Sequence, residues 1–289
     1  MSIYYIFIVT SLIFMAVFNM NKTKRIKKIL LTFLLIYLCL VGALYFMQRS
    51  MIYFPSKDRP DITPYTAQGV FETTAGTADS IALNGWMRSP DLDQPTIVFF
   101  HGNASGLNWT VFKAAPYAQE GYGFLLAGYR GYGGNSGKPS ELGFYEDARS
   151  WINKLLELGI PQEKIILYGE SIGTGVAVQM ATEFPNVRAV ILESPYTSLP
   201  DVAAKTYFFV PVRLLMKDRF DSLSKIENVT APVFIMQGAD DKIIPPVFGK
   251  KLFDAANQPK DILTLSGHGH NNMPIDIMAK AAMDFLIKN

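Results

Sequence analysis

One serine in this chain stands between spaced glycines, in the stretch Gly169–Gly175 (GESIGTG), after the run KIILY and before GVAVQMATEF. A serine hydroxyl is a weak nucleophile near neutral pH and needs a base to take its proton. The sequence offers three histidines for that task, His101, His268 and His270, and two of them stand together in SGHGHNN. A carboxylate can orient such a histidine and stabilise its charged form. Asp240 and Asp241, in QGADDKIIP, lie between the serine and the histidine pair. These residue types describe acyl transfer. Ser171 would attack a carbonyl carbon, a covalent acyl intermediate would form, and water would release it. Spacing alone leaves open which of Asp240 and Asp241, and which of His268 and His270, takes part.

The chemistry needs elements that bring these residues to one place. KIILY reads as a strand and GVAVQMATEF as a helix, so Ser171 sits on a strand-to-helix turn. Gly169 and Gly173 are expected where side chains would collide with neighbouring elements, and the turn would hold the hydroxyl proud of a sheet. Further strands are expected at Thr96–Phe100, Gly123–Ala127, Lys164–Tyr168, Val187–Leu192, Ala231–Gln237 and Asp261–Leu265. Helices are expected at Val111–Glu120, Glu141–Leu158, Gly173–Phe184, Phe248–Ala256 and Ile275–Lys288. Alternation of this kind implies an α/β fold, a mostly parallel sheet flanked by helices. Gly69–Pro90 reads as antiparallel edge strands. Asp240, Asp241, His268 and His270 then all follow strands at the same sheet edge as Ser171. A tetrahedral intermediate also needs two N–H groups aimed at its oxygen. The backbone N–H of Ile172, after the serine, and that of Asn103, in the loop HGNASG, are the candidates, with His101 holding that loop.

Six motifs in order carry a resemblance: HGNASG, YRGYGGNSGKPSE, LYGESIGTGVA, ESPYTSL, QGADDKIIP and GHGHN. Over residues 50–289 the chain resembles the serine α/β-hydrolases of the group with the Bem46-like and α/β-hydrolase-domain 13 and 17 proteins. Similar sequences are grouped as serine aminopeptidase-type domains. The resemblance implies an α/β-hydrolase fold and a Ser-Asp-His triad. Its acid stands four residues before the proline of the IIP ending, which selects Asp241. Its histidine precedes an asparagine in a G-x-G-H-N run, which selects His270. Gly128 is a departure, because Asp or Asn commonly precedes YRG in relatives.

Two uncharged apolar stretches precede this region, at about residues 2–20 and 29–47, each near the ~20 residues that cross a bilayer as a helix. Between them, residues 21–28 carry Lys22, Lys24, Arg25, Lys27 and Lys28. The expectation is a membrane anchor over 1–49 with two transmembrane helices and a basic cytoplasmic loop. The hydrolase domain, 50–289, would lie on the non-cytoplasmic side, facing the periplasm in a bacterium. A cleaved leader would need a basic start, which Met1–Tyr5 lacks. The single cysteine, Cys39, reads as a small apolar residue of the second span.

Formal net charge is +2, and the five cations of the 21–28 stretch leave the rest at −3, so no basic field invites nucleic acid. No metal-ligand spacing is present, and the chemistry above needs no cofactor. Residues 198–229 are too long for a plain connection and read as a short helical excursion packed on the domain or as a cap over a cleft, with Tyr207, Phe208, Phe209, Leu214 and Leu215 as a candidate acyl-binding wall. Anchor and cap together suggest a lipid-like or acylated small-molecule substrate, cleaved at an ester or thioester. A peptidase of the same fold and a membrane-tethered binding module without turnover are the alternatives.

Overall fold

The computed structural model describes residues 22–289. The expected first span, residues 2–20, lies outside the described residues. The second does not begin where the sequence suggested. A single helix, α1 (Lys22–Ile52, 31 residues), takes in the basic stretch as its opening turns. The expected basic loop is therefore corrected, at least from Lys22 onward. The reason is local: lysine and arginine are good helix formers, and neither glycine nor proline interrupts residues 22–41. At 1.5 Å per residue α1 is about 46 Å long, against the ~30 Å of a bilayer's hydrocarbon core. Among the described residues it is the one helix long and apolar enough to cross a membrane. The chain divides into two units, one ending at Gln48 and the other running Arg49–Asn289.

The second unit is built on an eight-stranded sheet: β1 (Phe71–Gly76), β2 (Ala82–Arg88), β3 (Thr96–Phe100), β4 (Gly123–Leu126), β5 (Ile165–Glu170), β6 (Ala189–Glu193), β7 (Val233–Gly238) and β8 (Lys260–Leu265). The spatial order is β1-β2-β4-β3-β5-β6-β7-β8. The pairs β1–β2 and β2–β4 are antiparallel, and every other pair is parallel. The central strands are buried on both faces, which explains why they read as continuous apolar runs. On β3, Val98 and Phe100 face one core together with helices α3 (Glu141–Glu157) and α4 (Ile172–Glu183). Ile97 and Phe99 face the other, with α2 (Leu107–Gln119) and α8 (Ile275–Lys288). A further helix, α7 (Val247–Ala255), joins β7 to β8.

From β3 the chain steps to β4 on one side, then returns to β5 on the other. This reversal opens a crevice at the carboxyl ends of β3 and β5, the place where ligands bind in open α/β sheets.

The glycine-rich segment after β4 is a structural turn. Arg130 donates from its backbone N–H and its Nε to the two oxygens of Asp147, both at 2.8 Å. Its terminal nitrogens form a fork onto Asp79 at 2.7 and 3.1 Å. The departure at Gly128 also has a steric reason, because a Cβ there would stand 2.0 Å from the carbonyl oxygen of Asn84. The 198–229 segment holds two short helices, α5 (Leu199–Thr206) and α6 (Val212–Leu215). Phe208 and Leu214 in this segment are 83% and 82% exposed, so they do not form a buried acyl wall.

Candidate active site

β5 ends on Glu170 and α4 begins on Ile172, leaving Ser171 as the single residue of the turn. Its backbone is left-handed, at φ +50° and ψ −116°. That sharp reversal is possible because its flanking glycines let the elements touch. A Cβ on Gly173 would stand 2.0 Å from the carbonyl oxygen of Phe100, and one on Gly169 would stand 2.5 Å from that of Gly173. The Ser171 N–H donates to the carbonyl of Glu193 at 2.9 Å, which ties the turn to β6.

The loops after β7 and β8 meet over this turn. His270 Nε2 lies 3.1 Å from Ser171 Oγ, and His270 Nδ1 lies 2.6 Å from Asp241 Oδ2. A carboxylate only accepts hydrogen bonds, so Nδ1 carries the proton and Nε2 presents its lone pair to the serine hydroxyl. The second oxygen of Asp241 accepts the N–H groups of Ile243 and Ile244, each at 2.8 Å. Burial works against the charge of Asp241. The His270 hydrogen bond and these two N–H groups outweigh burial and hold the carboxyl below the usual carboxylate range.

The rival residues point elsewhere. Asp240 is exposed and donates its N–H to the carbonyl of His268 at 2.9 Å. The His268 ring rests against the carbonyl of Ser266 at 2.9 Å. These two residues join the β7 and β8 loops to each other and leave Ser171 to His270.

Ile172 occupies the first position of α4, where an N–H has no partner within the helix. Among the described residues neither the Ile172 nor the Asn103 backbone N–H donates to a protein acceptor. The loop that carries Asn103 is pinned by the Asn103 side chain. Its Oδ1 accepts from Tyr132 O–H at 2.9 Å, from Phe54 N–H at 2.9 Å and from Ala104 N–H at 3.0 Å. Its Nδ2 donates to the carbonyl of Ile52. Sequence reasoning chose Asn103 for its backbone and missed this anchoring role. His101 is buried, with Nδ1 2.8 Å from the carbonyl of Gly102 and its ring 4.6 Å from that of Tyr129. Burial lowers its pKa, which keeps it neutral and structural. Beside this loop lies a cavity of about 250 Å³, lined by His101, Ser105, Asn108 and Tyr132 among others. Among the described residues no cluster of His, Cys, Asp and Glu could hold a metal ion.

Comparison with known proteins agrees with this architecture. The sequence profile of the α/β-hydrolase fold matches residues 95–221. An uncharacterised protein of Mycobacterium tuberculosis is 34% identical over 230 residues, covering 78% of this chain and 81% of that protein. The human α/β-hydrolase domain-containing protein 17B is 35% identical over 187 residues, 62% of each chain. Among solved structures, an esterase of Pyrococcus furiosus superposes with a TM-score of 0.66 at 19% identity, covering 81% of this chain and 98% of the esterase. The esterase domain of a Rhodothermus marinus protein superposes with a TM-score of 0.57 at 19% identity, over 76% of this chain and 97% of the domain. At those identities the superpositions speak for the fold, and the closer sequence relatives speak for the kinship. The chain belongs to the α/β-hydrolase superfamily and is similar to the α/β-hydrolase domain-containing protein 17B.

Proposed function

We propose that this chain is a membrane-anchored serine hydrolase that cleaves carboxylic esters or thioesters of lipid-like or acylated substrates. The observation that carries the reading is the relay Ser171 Oγ, His270 Nε2 and Nδ1, Asp241 Oδ2, with contacts of 3.1 and 2.6 Å. His270 takes the Ser171 proton as the oxygen attacks the acyl carbon. The former carbonyl oxygen becomes an oxyanion and accepts the N–H groups of Ile172 and Asn103. His270, now charged and steadied by Asp241, delivers its proton to the leaving alcohol or thiol. Water then enters, gives its proton to the same nitrogen and attacks the acyl-serine. Collapse returns the proton to Ser171 and releases the acid. The protein's own groups carry every step.

The membrane part of the reading rests on α1. Lys22, Lys24, Arg25, Lys27 and Lys28 cluster at its first end, and positive charge favours the cytoplasmic side. That orientation puts the hydrolase domain on the opposite face. A reporter fused after Met47 and active only in the cytoplasm would overturn it.

The catalytic part is tested on isolated membranes with a fluorophosphonate probe and with p-nitrophenyl esters of graded chain length. Wild type should label and turn over. Ser171→Ala should lose all labelling and at least ~10⁴-fold in turnover, and His270→Ala a comparable amount. A well-folded wild type that neither labels nor turns over would leave the tethered binding module as the reading.

A further inference from the structure

Behind the serine turn sits a group of charges that the mechanism above does not use. Glu170 ends β5 and Glu193 ends β6, and they are direct partners in the parallel ladder. Two acids side by side on neighbouring strands repel and would destabilise the pairing. Lys113, on α2, lies between them. Its ammonium is 2.6 Å from Glu193 Oε1 and 2.9 Å from Glu170 Oε1. Tyr168, two residues before Glu170, donates its O–H to Glu193 Oε2 at 2.7 Å. Burial works against the charge on Lys113, yet the attraction of Glu193 and Glu170 leaves its pKa above the ordinary lysine value.

The two glutamates also reach different halves of the candidate site, Glu170 through its carboxylate and Glu193 through its backbone. The second oxygen of Glu170 accepts the backbone N–H of Gly102, in the loop that carries Asn103, at 3.3 Å. The fit is close, since a Cβ on Gly102 would stand 3.2 Å from the Glu170 carboxyl carbon. The backbone carbonyl of Glu193 accepts the Ser171 N–H. A connected path therefore runs from Gly102 through Glu170, Lys113 and Glu193 to Ser171, and so to Ile172.

We propose that Lys113, with Glu170 and Glu193, is a positioning clamp that fixes the Asn103 loop against the Ser171 turn and so sets the spacing of the two N–H groups that receive the oxyanion. The purpose of the clamp rests on the hydrolase reading; its geometry does not. Lys113 touches no reacting atom. Burial works against the charge of Glu170, the attraction of Lys113 outweighs it and holds that carboxyl below the usual range, and an ionised Glu170 is the stronger acceptor for Gly102. Without Lys113, burial is no longer outweighed at Glu170 and favours its neutral form. The hold on Gly102 then weakens.

The test compares full-length wild type, Lys113→Met and Lys113→Arg in detergent, by amide hydrogen exchange over residues 101–106 and by ester turnover. In Lys113→Met, exchange at 101–106 should quicken about tenfold or more while β7 and α8 stay as in wild type. Its kcat should fall about tenfold or more with KM held within about twofold, as expected of misplaced transition-state contacts. Lys113→Arg, which keeps charge and donors, should recover most of both. Unchanged exchange at 101–106 in Lys113→Met, or an Arg variant as impaired as the Met variant, overturns the proposal. If Lys113→Met does not fold, Glu170→Gln keeps the side-chain shape and should show the same quickening; if it does not, the proposal is likewise overturned. Exchange is read without turnover, so the two ideas separate. An inactive wild type whose loop still responds to Lys113 keeps the clamp and sinks the hydrolase reading. An active wild type whose loop ignores Lys113 does the reverse.

Discussion

Two ion clusters in this protein share one composition, a cation between two carboxylates, and hold different things. Arg130 lies between Asp147 and Asp79; Lys113 lies between Glu170 and Glu193. Arg130 engages through a planar fork, and its own backbone N–H joins in, so geometry as well as charge is fixed. It secures the glycine-rich turn after β4 to α3. Lys113 is a point charge without preferred directions, and it gathers groups from α2, β5 and β6. The first cluster is half open, with the Asp79 side chain 52% exposed and that of Asp147 fully buried. The second is largely enclosed and abuts the serine turn. The same set of charges thus serves the scaffold in one place and the spacing of a site in the other. The difference lies in what each acidic residue, by side chain or backbone, touches beyond the cation.

Substitutions can break or sharpen that contrast. The largest effect on stability should come from Arg130→Met, which strands the buried Asp147. Loss of one partner of a buried pair costs about 3–5 kcal/mol, read as a lower denaturation midpoint at pH 7. Turnover per folded molecule should stay near wild type, opposite to the pattern expected for Lys113→Met. If Arg130→Met lowers kcat as strongly, the two clusters do the same work and the contrast fails.

Asp241→Asn should come next, and it depends on pH. The folded carboxyl of Asp241 lies below its ordinary value, so its contribution to stability is present above the unfolded value of about 3.9 and fades as pH falls below that. The gap in melting temperature between wild type and Asp241→Asn should therefore be open at pH 6 and narrow below about pH 4. A gap that widens on acidification would contradict the hydrogen-bonding assigned to Asp241. The smallest effect belongs to Asp79→Asn. Half in water, it should cost below about 1 kcal/mol, and high salt should erase much of the difference.

Much of the sheet could be read from the chain because its central strands are buried on both sides. TIVFF and the strand before Ser171 leave few other interpretations: β3 has the expected bounds, and β5 starts one residue and ends two residues later than expected. Helix α2 starts at Leu107, four residues before the expected Val111, because asparagine, tryptophan and threonine in LNWT give little local helical signal. The choice of Asp241 over Asp240, and of His270 over His268, was not legible from neighbouring residues. It came from a family pattern, and only the meeting of the β7 and β8 loops gives it a geometric reason. Lys113 carried no signal at all. A lysine on an amphipathic helix reads as solvated, and its partners lie 57 and 80 positions away in the chain. The basic stretch before the apolar span failed in the other direction. Its charge suggested a loop, while its helix-forming residues simply continued the helix.

The backbone of Ser171 has one more consequence. A side chain at φ +50° and ψ −116° sits where only glycine rests without cost, and such a residue holds about 1–3 kcal/mol of unfavourable energy in the native state. A glycine at this position would release that energy, and the protein would resist heat better with its hydroxyl gone. At this single position, durability and reactivity make opposite demands. Any effort to harden the protein by selecting for heat resistance alone would be rewarded here for disarming it.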